Sequence, residues 1–147
     1  MEAARAGELD RDAPSADELR AVLDDALGTL DRDDRSGPLL RASGMAIRLE
    51  LTDIGLVANV ASSDERDHHL RWSFDRVEPA KLVLRMDAAT ANAYLQGRES
   101  LAIGIARGRV RLQGDARTAL LYLPALRLIC EPYRRTVSER FPHLAMA

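Results

Sequence analysis

Between Met45 and Met86 the chain settles into a hydrophobic period of two. Met45, Ile47, Leu49 and Leu51 alternate with Arg48, Glu50 and Thr52. Asp53-Ile54-Gly55 follows as a short hairpin loop whose glycine suits a positive φ. Leu56, Ala58 and Val60 then resume the pattern. Leu70, Trp72 and Phe74 alternate with Arg71, Ser73 and Asp75, and Leu82, Leu84 and Met86 with Val83 and Arg85. Side chains along a strand point to opposite faces in turn, so this pattern makes one apolar face and one wet face. The short connections predict an antiparallel meander of four strands. Such a sheet must have its apolar face covered.

The flanking segments supply the cover. Ser15 and Glu18 have capping-box spacing. Leu19, Val22, Leu23, Ala26, Leu27 and Leu30 then form one face of an amphipathic helix, which the run Asp33 to Pro38 is expected to stop. After the sheet, Asp87 caps a helix over 88–96 ended by Gly97, and Ser100 caps one over 101–107 ended by Gly108. Val110 and Leu112 predict a short fifth strand, and Asp115 opens a helix expected over 116–130. Tyr133, Val137 and Phe141 recur every four residues and predict a last helix over 132–140. The expected fold is α+β: a five-stranded, mostly antiparallel sheet covered on one face by helices.

Charge and composition narrow the function. The 147 residues are one domain's worth of chain, 46% apolar and 30% charged, with a net charge of -2. The charge is uneven, with eleven acids against five arginines in residues 1–36. An acidic start and a mildly basic body are no nucleic-acid footprint, which needs a clustered basic stripe. No apolar run reaches the ~18 residues of a membrane span. The start lacks a signal-peptide pattern, and the lone Cys130 fits a reducing cytoplasm. Three histidines and one cysteine predict no metal and no cofactor. His68-His69, with Asp67 or Asp75 beside them, read more readily as a solvated strand edge than as a catalytic base. No nucleophile elbow or phosphate loop is present. The expectation is a protein that is not an enzyme and has no catalytic residue.

Two helical segments are apolar on more faces than one sheet can cover. Ala119 to Cys130 carries only Arg127 as a charge, and Leu101 to Ala106 carries none. A helix lying on a sheet needs only one apolar stripe. A neighbouring helix, a second subunit or a lipid-like ligand is expected on the other side. Pro124 is expected to kink the longer helix or break it in two.

The order of elements between Leu82 and Leu126 resembles the sterol carrier protein-2 family. The matching frame is Leu82-Val83-Leu84-Arg85-Met86-Asp87, then Tyr94-Leu95-Gln96-Gly97-Arg98. Gly108-Arg109-Val110-Arg111-Leu112-Gln113-Gly114-Asp115 and an apolar helix from Ala116 follow. The resemblance implies a non-enzymatic carrier of a sterol, fatty acid or acyl-CoA, held in an apolar tunnel between the sheet and the C-terminal helices. It divides the chain into a mobile acidic segment (1–14), a lipid-binding domain (15–131) and a C-terminal helical extension (132–147). The terminus Ala145-Met146-Ala147 is no peroxisomal address, so a bacterial cytoplasm is expected. The expected lining is Trp72 and Phe74 on the sheet with Leu101, Ile105, Leu112, Leu120, Leu123 and Leu126. On this reading Ile105→Trp fills open space with little strain. Arg98, Arg107 and Arg109 are candidates to meet an anionic headgroup. The alternative is a partner-binding or regulatory module with a filled core, whose apolar helix makes a homodimer interface.

Overall fold

The computed structural model describes residues 14–146. The mobile segment expected over 1–14 therefore lies outside the described residues, apart from the buried Pro14. Helix α1 (Ala16–Arg32) begins on the anticipated capping box. The Ser15 hydroxyl accepts from the Glu18 N–H at 3.1 Å, and the Glu18 carboxylate accepts from the Ser15 N–H at 3.0 Å. These bonds satisfy donors that a helix start leaves free. A short helix α2 (Ser36–Ala42) follows where only a stop was expected. The Asp33 carboxylate accepts from the Arg35 and Ser36 N–H groups and so starts it. Pro38 sits in its first turn, where a missing N–H costs nothing.

The sheet contains β1 (Ala46–Leu51), β2 (Leu56–Ser62), β3 (Leu70–Phe74), β4 (Leu82–Met86) and β5 (Arg111–Gly114). Its order is β3-β2-β1-β4-β5. The pairs β1–β2, β2–β3 and β4–β5 are antiparallel, and β1–β4 is parallel. The meander expectation thus fails at one step: β4 does not lie beside β3. The connecting residues 75–81 cross the polar face of the sheet instead. Asn59 Nδ2 donates to the Arg76 carbonyl at 2.7 Å, and an Arg48 guanidinium N–H donates to the Glu78 carbonyl at 2.8 Å. The Ser73 hydroxyl donates to the Glu78 carboxylate. The crossover buries both faces of β4, where Leu82, Val83 and Leu84 are all covered. Three consecutive apolar residues are the mark of a strand buried on both sides.

Helices α3 (Ala88–Leu95), α4 (Leu101–Ala106), α5 (Ala116–Arg127) and α6 (Cys130–Arg140) follow. Asp87, Ser100 and Asp115 cap the first three as expected. Gly97 and Gly108 end α3 and α4 with φ of +74° and +76°. In each case the next two N–H groups reach back to the last turn, Gly97 to Tyr94 and Arg98 to Ala93, then Gly108 to Ile105 and Arg109 to Gly104. The single helix expected over 116–130 stops at Arg127, and the last helix starts early, at Cys130. Pro132 cannot donate to the Leu128 carbonyl, so one continuous helix would leave it unpaired. Restarting at Cys130 puts Pro132 in a first turn.

Helix α6 belongs to the same core as the sheet, with Tyr133 and Val137 fully buried. The Thr136 hydroxyl donates to Asp25 of α1, and the Tyr133 hydroxyl to Asn92 of α3. The Asn92 and Gln96 amides both donate to the Leu144 carbonyl, which fastens the tail to α3. Asp31 pins the other end of α1 to β3. Its carboxylate accepts from the His69 N–H at 2.6 Å and the Leu70 N–H at 2.9 Å, and lies 2.7 Å from His68 Nδ1.

Gly97→Ala and Gly108→Ala should each cost about 1 kcal/mol in chemical denaturation, since alanine resists these φ values. Asp31→Asn should cost about 2 kcal/mol at neutral pH, through weakened charge-assisted bonds. Burial opposes ionisation of Asp31, but the bonds from His68, Leu70 and His69 outweigh it and hold its pKa below the ordinary 3.8. The bond to Asp31, then its charge, raises His68 above 6.5. Asp31 therefore stabilises above its ordinary pKa, and this is lost as pH falls through the lowered value. The contribution of His68 is complete below 6.5 and is lost as pH rises through its raised value. Denaturation of the two proteins across pH should show the widest gap between those ranges.

Candidate functional site

The helices roof the apolar face of the sheet without filling the space beneath. A cavity of about 540 Å³ lies between them. Its floor is Met45 just before β1, Ile47 and Leu49 of β1, Ala58 and Val60 of β2, Leu70 of β3, and Leu84 and Met86 of β4. These are alternate residues, which share one face of the sheet. The roof is Leu23, Leu27 and Leu30 of α1, with Leu40 of α2. Ala91, Tyr94 and Leu95 of α3 and Leu123 and Leu126 of α5 form the walls. The exposed lining residues come from two places: Gly97 to Ser100 with Ala102, and Arg127. The mouth therefore lies between the α3–α4 connection and the C-terminal end of α5.

The mouth is polar and the interior is not. Arg98 and Arg127 border the opening with no carboxylate partner among the described residues. Glu99 pairs with Arg109 at 3.5 Å. Cys130 lies at the inner edge of the mouth, and burial pushes its thiol pKa up, against the charges of Arg134 and Arg127. A thiol so placed stays protonated and is a weak nucleophile. Among the described residues, no three His, Cys, Asp or Glu side chains gather as metal ligands. The cavity thus pairs an apolar interior with a rim that carries the uncompensated charges of Arg98 and Arg127.

Of the expected lining residues, the structure brings Leu101, Leu123 and Leu126 together on the cavity wall. Trp72, Phe74, Ile105 and Leu112 do not border it. All four are half-buried against the core. Trp72 lies at the sheet edge under α1 and donates its indole N–H to Asp24 at 2.9 Å. Leu112 stands opposite Leu84 on the edge strand β5. Leu120 is 68% exposed and faces away from the cavity. The helix period explains this: Ala119, Tyr122, Leu123 and Leu126 point inward, so Leu120 and Leu121 point outward. The sequence reasoning missed the leucines of α1 as lining. Their stripe was legible, but a stripe against a core and a stripe over a void have the same period. Gly104 also gains a reason: a Cβ there would collide with the Tyr94 hydroxyl, so glycine lets α3 and α4 pack closely.

A one-sheet α+β domain roofed by helices around an apolar cavity is the class that this geometry defines. By sequence, no family model and no curated protein matches the chain. By structure, the chain has the sterol carrier protein-2 fold. It superposes on a crystal structure of sterol carrier protein 2 with a TM-score of 0.54 and 18% identity, over 78% of this chain and 94% of that one. A possible sterol carrier protein from Thermus thermophilus gives 0.56 and 19%, over 78% and 85%. The sec-alkylsulfatase Pisa1 from a Pseudomonas species gives 0.51 and 16%, over 60% of this chain. The present chain spans only 14% of the length of that enzyme.

The cavity predicts an asymmetry in overpacking. Leu126→Trp has open space to enter and should leave stability within about 1 kcal/mol of the parent. Val137→Phe, in the closed core, should cost about 1–3 kcal/mol. Urea denaturation of both variants checks this. Ile105 does not border the cavity, so Ile105→Trp is not the cavity-filling variant.

Proposed function

We propose that the protein is a non-enzymatic carrier of a hydrophobic small molecule, of the sterol, fatty acid or acyl-CoA class. The observation that carries this reading is the 540 Å³ cavity, lined by leucine, methionine, isoleucine and valine and opening between Arg98 and Arg127. Its volume is in the range of small-molecule sites, ~300–1,000 Å³. Burial of a ligand's apolar surface there contributes about 25 cal/mol per Å². The two arginines suit an anionic or polar end held at the rim. Leu101, Leu123 and Leu126, which border the cavity, are the proposed ligand contacts among the residues expected from the sequence. The cytoplasm is the proposed compartment, on the single free cysteine. The alternative of a partner-binding module calls for a filled interior, and the open cavity weighs against it.

A fluorescent fatty acid titrated into the ligand-stripped protein tests the proposal. Saturable binding should occur at one site per chain. Leu126→Trp should weaken it about tenfold or more while remaining folded. Unlabelled fatty acid or sterol should displace the probe. Absence of saturable binding by the folded parent, or a Leu126→Trp variant that binds as the parent does, contradicts the carrier reading.

A further inference from the structure

The outer face of α5 is left uncovered by every described residue. Leu120 is 68% exposed and Leu121 is 74% exposed, among the largest apolar exposures in the protein. Arg117 and Arg127 lie on the same exposed face, one near each end of the helix, and the helix carries no acidic residue. Between Arg98 and Leu128 the chain holds six arginines and two carboxylates, although its net charge is -2. The segment that leads into and through this helix is therefore basic. The inner face of the same helix supplies Leu123 and Leu126 to the cavity, and its end, Arg127, borders the mouth.

We infer that the outer face of α5 docks on an anionic phospholipid bilayer, with Leu120 and Leu121 inserted at the boundary between headgroups and acyl chains. An interfacial helix needs an apolar patch flanked by cations, and this face has both. Arginine stems can lie along the apolar region while their guanidinium groups reach lipid phosphates. A bilayer seat would bring the mouth of the cavity to the source of an apolar ligand. The inference rests on the carrier reading for its purpose. It can fail separately, because Leu120, Leu121 and Arg117 lie outside the cavity lining.

The test is flotation of the full chain with vesicles of phosphatidylcholine alone, and of phosphatidylcholine mixed with phosphatidylglycerol. The protein should float with the mixed vesicles at low salt, not with the neutral ones, and high salt should release it. Leu120→Ser with Leu121→Ser should weaken vesicle binding about tenfold or more. Arg117→Gln should weaken it about fivefold. The serine variant should keep its circular dichroism spectrum and its binding of a fluorescent fatty acid in solution. Equal affinity for both vesicle types overturns the proposal, as does vesicle binding that survives the serine substitutions. A parent that sediments as a dimer and becomes monomeric in the serine variant also overturns it, since a second copy then covers the face. Loss of fatty-acid binding by the folded parent, with vesicle binding intact, contradicts the carrier reading and leaves the docking surface standing.

Discussion

The structure depends on how α1 is fastened along its polar edge. Five side chains on this helix are tied to different parts of the fold. Glu18 lies 2.5 Å from His143 Nε2, and Arg20 donates to Asp75. Asp24 accepts from Trp72, Asp25 from Thr136, and Asp31 from the His69 and Leu70 N–H groups at the start of β3. The opposite face turns Leu23, Leu27 and Leu30 toward the sheet. Fixed along its polar edge, the helix borders the cavity with its apolar face. An empty apolar void costs stability in proportion to its volume. A ligand that enters removes that cost and stabilises the fold by mass action.

Much of this architecture was legible in the chain because it follows from local chemistry. The capping box at Ser15, the caps at Asp87, Ser100 and Asp115, and the glycines at 97 and 108 each satisfy backbone groups within a few residues. Alternation likewise placed the apolar face of each strand. What alternation cannot convey is which strands are neighbours. The crossover from β3 to β4 is held by Ser73 close by and by Asn59 and Arg48, which lie 17 and 30 residues from the carbonyls they bind. The run Leu82-Val83-Leu84 did carry a local sign of a central strand. Helix α2 was hidden because Gly37 and Pro38 resemble a stop, although proline is well suited to a first turn.

The candidate site was less legible than the fold. Ala119 to Cys130 is apolar on several faces, and the structure divides those faces between a cavity wall and an uncovered exterior. Leu123 and Leu120 are chemically identical, and only the helical phase separates their roles. The cavity also draws on leucines of α1, some hundred residues upstream of α5. A void forms where packing is incomplete among elements far apart in the chain, and no window of sequence contains it.

The central claim is that the interior is an apolar space kept open for a guest. Native mass spectrometry of the gently purified protein, followed by removal of lipid with organic solvent and re-addition of a long-chain fatty acid, tests it most directly. The account predicts a folded monomer that carries an extracted mass of lipid size, loses it on delipidation and regains one equivalent of the fatty acid. A folded protein at its bare mass throughout, taking up no fatty acid at any supplied concentration, would contradict it.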